Sequence, residues 1–157
     1  MDIFNRMLDQ MARDIVKQAQ ENLQQDRVLE YTKTKPIANK VAGGTLLKSL
    51  TYKIRNRKGQ YSLTLGADVP YAKTVEEGTP KGTLVDVSDL VHWIKVKNID
   101  TDWASGGVYQ AGYMFRKAIA QRGIPPELYY QRAVEKVVPR YRQQLGQAFG
   151  DEMIKKF

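Results

Sequence analysis

Two adjacent carboxylates, Glu76 and Glu77, sit in the stretch DVPYAKTVEEGTPKG (residues 68–82) beside an aromatic residue, two glycines and two prolines. Acid–base chemistry needs two carboxylates facing one substrate. Neighbouring residues point to opposite faces of a strand, or diverge by about 100° on a helix, so this pair does not meet that requirement. The stretch ends in GTPKG, continued by Thr83 as GTPKGT, in which a lysine precedes the second glycine. A phosphate loop needs two glycines followed by Lys and Ser or Thr at the head of a helix, so order and spacing both fail. The only histidine, His92, has no cysteine, second histidine or HExxH pattern near it, and no zinc scaffold follows. The residues therefore predict neither catalysis nor a cofactor or metal site. The stretch reads as a backbone corner.

The chain has 157 residues, no cysteine, 42% hydrophobic and 27% charged residues, a composition expected of one globular domain over residues 1–157. Without cysteine there are no disulfides, and synthesis in a reducing compartment is the expectation. No apolar run reaches the roughly 18 residues of a membrane span, so no membrane partner is expected. The net charge is +8, and its placement is uneven. From Tyr31 to Ala67 there is no Asp or Glu, while eight bases fall there: Lys33, Lys35, Lys40, Lys48, Lys53, Arg55, Arg57 and Lys58. Such a segment is either a solvated face or a surface for nucleic acid or an acidic protein.

Periodicity supplies the elements that position these residues. Apolar residues at three- and four-residue steps predict an amphipathic helix over 3–23, capped by Asp2. A polar segment with Pro36 and two glycines follows, and a mobile loop is expected over 28–45. Thr45 is the expected cap of a helical turn presenting Leu46, Leu47 and Leu50. Two alternating runs, TYKIRN and QYSLTLG, predict a β-hairpin turning at Lys58-Gly59, with Tyr52, Ile54, Tyr61, Leu63 and Leu65 on the buried side. Lys53, Arg55, Arg57 and Lys58 then lie on the outer face or tip. The tyrosines follow the apolar period and are expected in the core, not as base-stacking platforms.

Downstream, Asp86 or Ser88 caps a helix with Leu90, Val91 and Ile94 inward, and Ser105 is the expected cap of a helix over 106–121 that ends at Arg122-Gly123. Pro125-Pro126-Glu127 is the expected start of the last helix, since proline suits a first turn. Its apolar series passes through Pro139 in phase, as one helix kinked there or as two. The order predicts an α+β fold: a small antiparallel sheet packed by a long N-terminal helix and by C-terminal helices.

Taken together, GGTLLKSL, the hairpin and PYAKTVEEGT resemble the paired signature of phage tail-completion and head–tail joining proteins, the type of gene product ten of a lambdoid long-tailed phage. Gly44, Leu46, Ser49 and Leu50 match its first part; Tyr71, Ala72, Val75, Glu76, Gly78 and Thr79 match its second. DLVHWIK, MFRKAIAQRGI and the last helix continue the resemblance, while GIPPELYY departs from the Arg-Pro-Phe that family members often place before that helix, with Leu128 and Tyr129 in the apolar role. The resemblance implies a virion protein without catalysis or cofactor, made in the host cytoplasm. It would act in the neck as a homo-oligomeric ring contacting head-closure or tail proteins. A tail-terminator ring and a sequence-nonspecific nucleic-acid-binding protein are the alternatives. In the neck, the basic hairpin residues would face packaged DNA or an acidic ring. In the corner, Tyr71, Ala72 and Val75 are the expected apolar anchor, Gly78 the permissive backbone, and Glu76 an acceptor for backbone or basic groups.

Overall fold

The computed structural model describes residues 3–25 and 44–154. The Asp2 cap, Tyr31, Lys33, Lys35, Lys40 and most of the loop expected over 28–45 lie outside them. In chain order the elements are α1 (Ile3–Gln24), α2 (Thr45–Ser49), β1 (Leu50–Arg57), β2 (Gln60–Ala67), α3 (Ala72–Glu77), α4 (Val87–Val96), α5 (Gly107–Arg122) and α6 (Tyr129–Ile154). The fold is α+β: a two-stranded antiparallel sheet flanked by N- and C-terminal helices.

The core forms where α1 and α6 run antiparallel, with Asn22 beside Tyr129 and Phe4 beside Phe149. Along α1, Leu8, Met11, Ile15, Ala19 and Leu23 recur at helical steps and are buried. Tyr129, Ala133 and Val137 do the same along α6 and belong to the same cluster. Ala19 and Ala133 are both fully buried, and side chains this small let the two helices approach closely. Pro139 lies inside α6, a single helix of 26 residues, and both it and Glu135 are exposed. The Glu135 carbonyl, which loses its helical donor to the proline, is therefore on the wet side.

The hairpin lays its apolar face on this helix pair. Leu50, Ile54, Tyr61, Leu63 and Leu65 pack against the α1–α6 cluster, and Tyr61 meets Phe4 edge-on with centroids 4.6 Å apart. The Tyr52 hydroxyl donates to Asp9 at 2.6 Å. That bond, with Arg13 alongside, holds the Asp9 carboxyl below the usual carboxylate range, and the same bond raises the Tyr52 hydroxyl. Tyr141 of α6 likewise donates to Asp14 of α1. A second, smaller cluster of Ile94, Ala104 and Ala111 lies between α4 and α5.

Several expected boundaries move. Thr45 is the first residue of α2, and the cap position falls to Gly44 at φ 73°. Ser105 does not cap α5. Gly106 precedes that helix, and the Gln110 side chain reaches back to accept from the Gly106 N–H and from the Ser105 hydroxyl. Asp86 caps α4, its Oδ1 accepting from the Ser88 N–H at 2.8 Å. The last helix starts at Tyr129, not at the prolines, because Leu128 is left-handed (φ 52°) and the N–H groups of Glu127 and Leu128 are engaged elsewhere.

Inside the apolar core one polar chain is fully paired. Gln18 donates to Asn22 Oδ1 at 3.1 Å, and Asn22 Nδ2 donates to the Tyr129 carbonyl at 3.0 Å. Replacing Asn22 with leucine leaves both partners buried without it. We expect Asn22→Leu to lower the unfolding free energy by about 1–3 kcal/mol, read as a reduced urea midpoint at unchanged denaturant slope.

Candidate functional site

Four residues of the second half of the signature, Ala72, Glu76, Gly78 and Thr79, meet the segment that leads into and opens α6. A helix beginning at Tyr129 after Leu128 has no Ser, Thr, Asp or Asn of its own to accept from its first N–H groups. Glu76 supplies the acceptor from 54 residues away: Oε2 accepts from the Tyr130 N–H at 3.0 Å, and Oε1 from the Gln131 N–H at 3.0 Å. Both carboxylate oxygens thus sit at the positive end of the helix dipole, where a negative charge is favoured. The exchange runs the other way one turn earlier. The Glu127 N–H donates to the Val75 carbonyl at 2.9 Å and the Leu128 N–H to the Glu76 carbonyl at 3.0 Å. The C-terminal carbonyls of α3 are therefore satisfied by the two amides that precede α6, and the first amides of α6 by the Glu76 side chain.

Glycine makes this contact sterically possible. Gly78 has φ 69°, and a Cβ there would stand 2.2 Å from the Ile124 carbonyl oxygen and 2.7 Å from the Pro126 nitrogen. Gly123 has φ 76°, and its Cβ would stand 2.3 Å from the Thr79 carbonyl oxygen. Between them Thr79 and Ile124 form an antiparallel bridge with N–O distances of 2.9 and 3.0 Å, and the Ile124 N–H also reaches Thr79 Oγ1 at 3.0 Å. Two tyrosines fasten the junction to the rest of the fold. Tyr129 Oη donates to the Ala72 carbonyl at 3.2 Å, and Tyr130 Oη lies 2.7 Å from the Gly66 carbonyl and 3.1 Å from that of Thr51, paired neighbours at the base of the hairpin.

The first half of the signature folds the chain onto α1. Gly44 takes the left-handed conformation, its carbonyl accepts from the Lys48 N–H at 3.0 Å, Leu46 and Leu50 are buried, and Ser49 Oγ donates to the Leu46 carbonyl at 2.8 Å. Gln20 of α1 donates to the Leu47 carbonyl at 3.1 Å. In the second half, Ala72 and Val75 pack on the core as the apolar anchor requires, but Tyr71 does not. Its side chain is 44% exposed, because it precedes the first turn of α3 and points away from the cluster.

Neither carboxylate of the Glu76–Glu77 pair faces a shared substrate position. Glu76 is held at the α6 terminus, and Glu77 is exposed, 3.9 Å from Lys73. His92 is exposed on α4. Among the described residues no group of His, Cys, Asp or Glu is placed to hold a metal, and no helix is long and apolar enough to cross a membrane.

The basic residues gather elsewhere, on the outer face of the hairpin. Lys58 (φ 52°) and Gly59 (φ 83°) both take positive φ, the geometry of a two-residue turn that follows the natural strand twist. Lys53, Arg55 and Arg57 alternate with the inward residues of β1, and all three are exposed, as is Lys58 at the tip.

Reading the sequence alone misses the other half of the junction: Gly123, Ile124, Tyr130, Gln131 and Asn22. A partial signal was present, since the final helix lacks a capping residue of its own. Glu127 and Arg132 are also missed. They form a mostly buried ion pair at 3.0 Å, and Arg132 further donates to the Asn22 carbonyl at 3.4 Å.

The junction has measurable consequences. Glu76→Ala removes the cap of α6 and is expected to cost about 1–2 kcal/mol, with Glu76→Gln losing less because one acceptor oxygen remains. Gly78→Ala forces a carbonyl and a proline ring apart and is expected to cost more than about 3 kcal/mol, so that thermal unfolding ranks it below both. Burial pushes the Tyr130 hydroxyl up to about 12 and raises Tyr129 as well. Both phenols are neutral in the fold, so the stability they contribute is complete below their unfolded value near 10 and is lost as pH rises toward 12. Urea midpoints are expected to hold up to that range and then fall. Tyr130→Phe should start lower and fall less.

Compared with known proteins, residues 1–78 match the HK97-gp10-like family of phage tail components. No curated protein and no solved structure matches the chain significantly. The matched part takes in α1, α2, the hairpin and α3 up to Gly78. The resemblance in DLVHWIK, MFRKAIAQRGI and the last helix lies beyond it. Over its first 78 residues the chain is similar to a family of phage tail components.

Proposed function

We propose that this chain is a structural subunit of a phage virion. It acts without catalysis at the neck, joining head to tail or completing the tail, as a ring of identical copies around the DNA path. The observation that carries this reading is the family match over residues 1–78. The geometry of the signature agrees with a structural role, since Glu76, the residue most suited to chemistry, has both oxygens engaged by backbone N–H groups of α6.

The exposed apolar residues support assembly. Of the large hydrophobic side chains exposed among the described residues, most fall on α4, α5 and the loops beside them, including Trp93, Val96, Trp103, Tyr109, Tyr113 and Met114. A monomer that keeps such a surface in water gains by covering it. A ring needs contacts between unlike patches of neighbouring copies that close by rotation. The described residues supply apolar material for one of the two patches on an arm that departs from the α1–α6 body.

Electron microscopy of particles from cells in which the gene is silenced tests the reading. Filled or leaking heads beside unattached tails are the expected result. Intact, infectious virions would remove the reading.

A further inference from the structure

We propose that the outer face of the β1–β2 hairpin is a binding surface for the sugar–phosphate backbone of double-stranded DNA, without sequence preference. The strand pairing fixes what this face contains. Lys53 is paired with Thr64, Arg55 with Ser62 and Arg57 with Gln60. Residues paired directly across a ladder share a face, so each base has a neutral hydrogen-bonding side chain beside it and no carboxylate. Lys58 extends the row at the turn. None of the four cations forms an ion pair with a described residue. From Tyr31 to Ala67 the sequence has no Asp or Glu that could neutralise them locally.

Spacing and composition select the partner. Alternate residues of a strand lie about 7 Å apart, so Lys53, Arg55 and Arg57 form a straight row at the scale of successive phosphates along one DNA strand. An acidic protein is a poorer match, because stable protein interfaces centre on an apolar core with aromatic anchors. The face has no such centre: the hairpin's apolar residues, Ile54, Tyr61, Leu63 and Leu65, pack inward on the helix cluster. Single strands are also disfavoured, since they are held by stacking on exposed aromatic rings, whereas Tyr52 and Tyr61 face inward toward Asp9 and Phe4. What remains outward is a rigid row of cations with small polar neighbours, which contacts phosphates and reads no base edge.

Fluorescence anisotropy of a labelled random-sequence duplex against the purified chain, titrated from 50 to 200 mM salt, tests this inference. Four phosphate contacts correspond to a log–log salt slope of about −3 to −4. The expected result is that the combined variant K53Q, R55Q, R57Q and K58Q keeps the wild-type urea midpoint, binds at least about tenfold more weakly at the low-salt end and has a slope shallower by about 3 to 4. A charge-reversed set, all four to Glu, should abolish binding. No duplex binding by the wild type, or slopes that differ by less than about one between wild type and the Gln variant, would overturn the inference. A poly-glutamate peptide of equal charge that outcompetes the duplex would also overturn it, in favour of an acidic protein partner. The surface is defined by the hairpin alone, so duplex affinity judges this inference while particle morphology judges the virion reading.

Discussion

The fold depends on one long-range pairing of charge with backbone. The final helix begins after a left-handed leucine with no capping residue of its own, and the Glu76 carboxylate, 54 residues earlier in the chain, closes its first turn. Together with the Glu127 and Leu128 amides bound to α3, that contact sets where α6 starts and so where it packs along α1. The hairpin base is drawn into the same point by the Tyr130 hydroxyl between Gly66 and Thr51. The α1–α6 core and the sheet that lies on it are therefore positioned from one corner. Buried apolar area supplies the stability of such a core, but area alone does not choose a register. Hydrogen-bonded groups such as Glu76, Asn22 and the two tyrosines discriminate between a correct packing and one slipped by a turn.

The corner also separates two roles along the chain. α1, the hairpin, α3 and α6 form one cluster around the junction, while α4 and α5 pack on each other around Ile94, Ala104 and Ala111. The chain leaves the body at Thr79 and returns at Ile124, and the bridge between those residues closes the excursion at its base. The basic hairpin face and the aromatic arm are thus carried on different elements and present different chemistry: exposed cations on one, exposed rings on the other.

Local pattern made most of the fold legible in the sequence. The period of α1, the alternation of Tyr52 to Arg55, the turn at Lys58-Gly59 and the Asp86 cap all follow from forces acting within a few residues. The departures occur where other groups, near or distant, compete for the same backbone. Pro125-Pro126 looks like a helix start, but the next two amides donate to α3 and the helix waits until Tyr129. Thr45 and Ser105 look like caps, yet glycines take the cap positions and the Gln110 side chain serves α5 instead. Tyr71 matches the signature by type but is left in solvent, because only Ala72 and Val75 lie on the packed side of α3. The role of Glu76 as an acceptor was legible from its charge. Its donors were not, since nothing local marks residues 54 and 55 positions away.

The bridge between Thr79 and Ile124 has an evolutionary corollary. Because the chain exits and re-enters the body through adjacent residues, residues 80–122 form a cassette whose ends are held together by the bridge and by the glycines that flank it, Gly78 and Gly123. Insertions and replacements are tolerated best where flanking backbone is anchored this way. The matched family region ends at Gly78, one residue before the cassette's anchor. A replacement that keeps Gly78, Gly123 and Glu76 would change the surface the arm presents and leave the anchor of the body as it is.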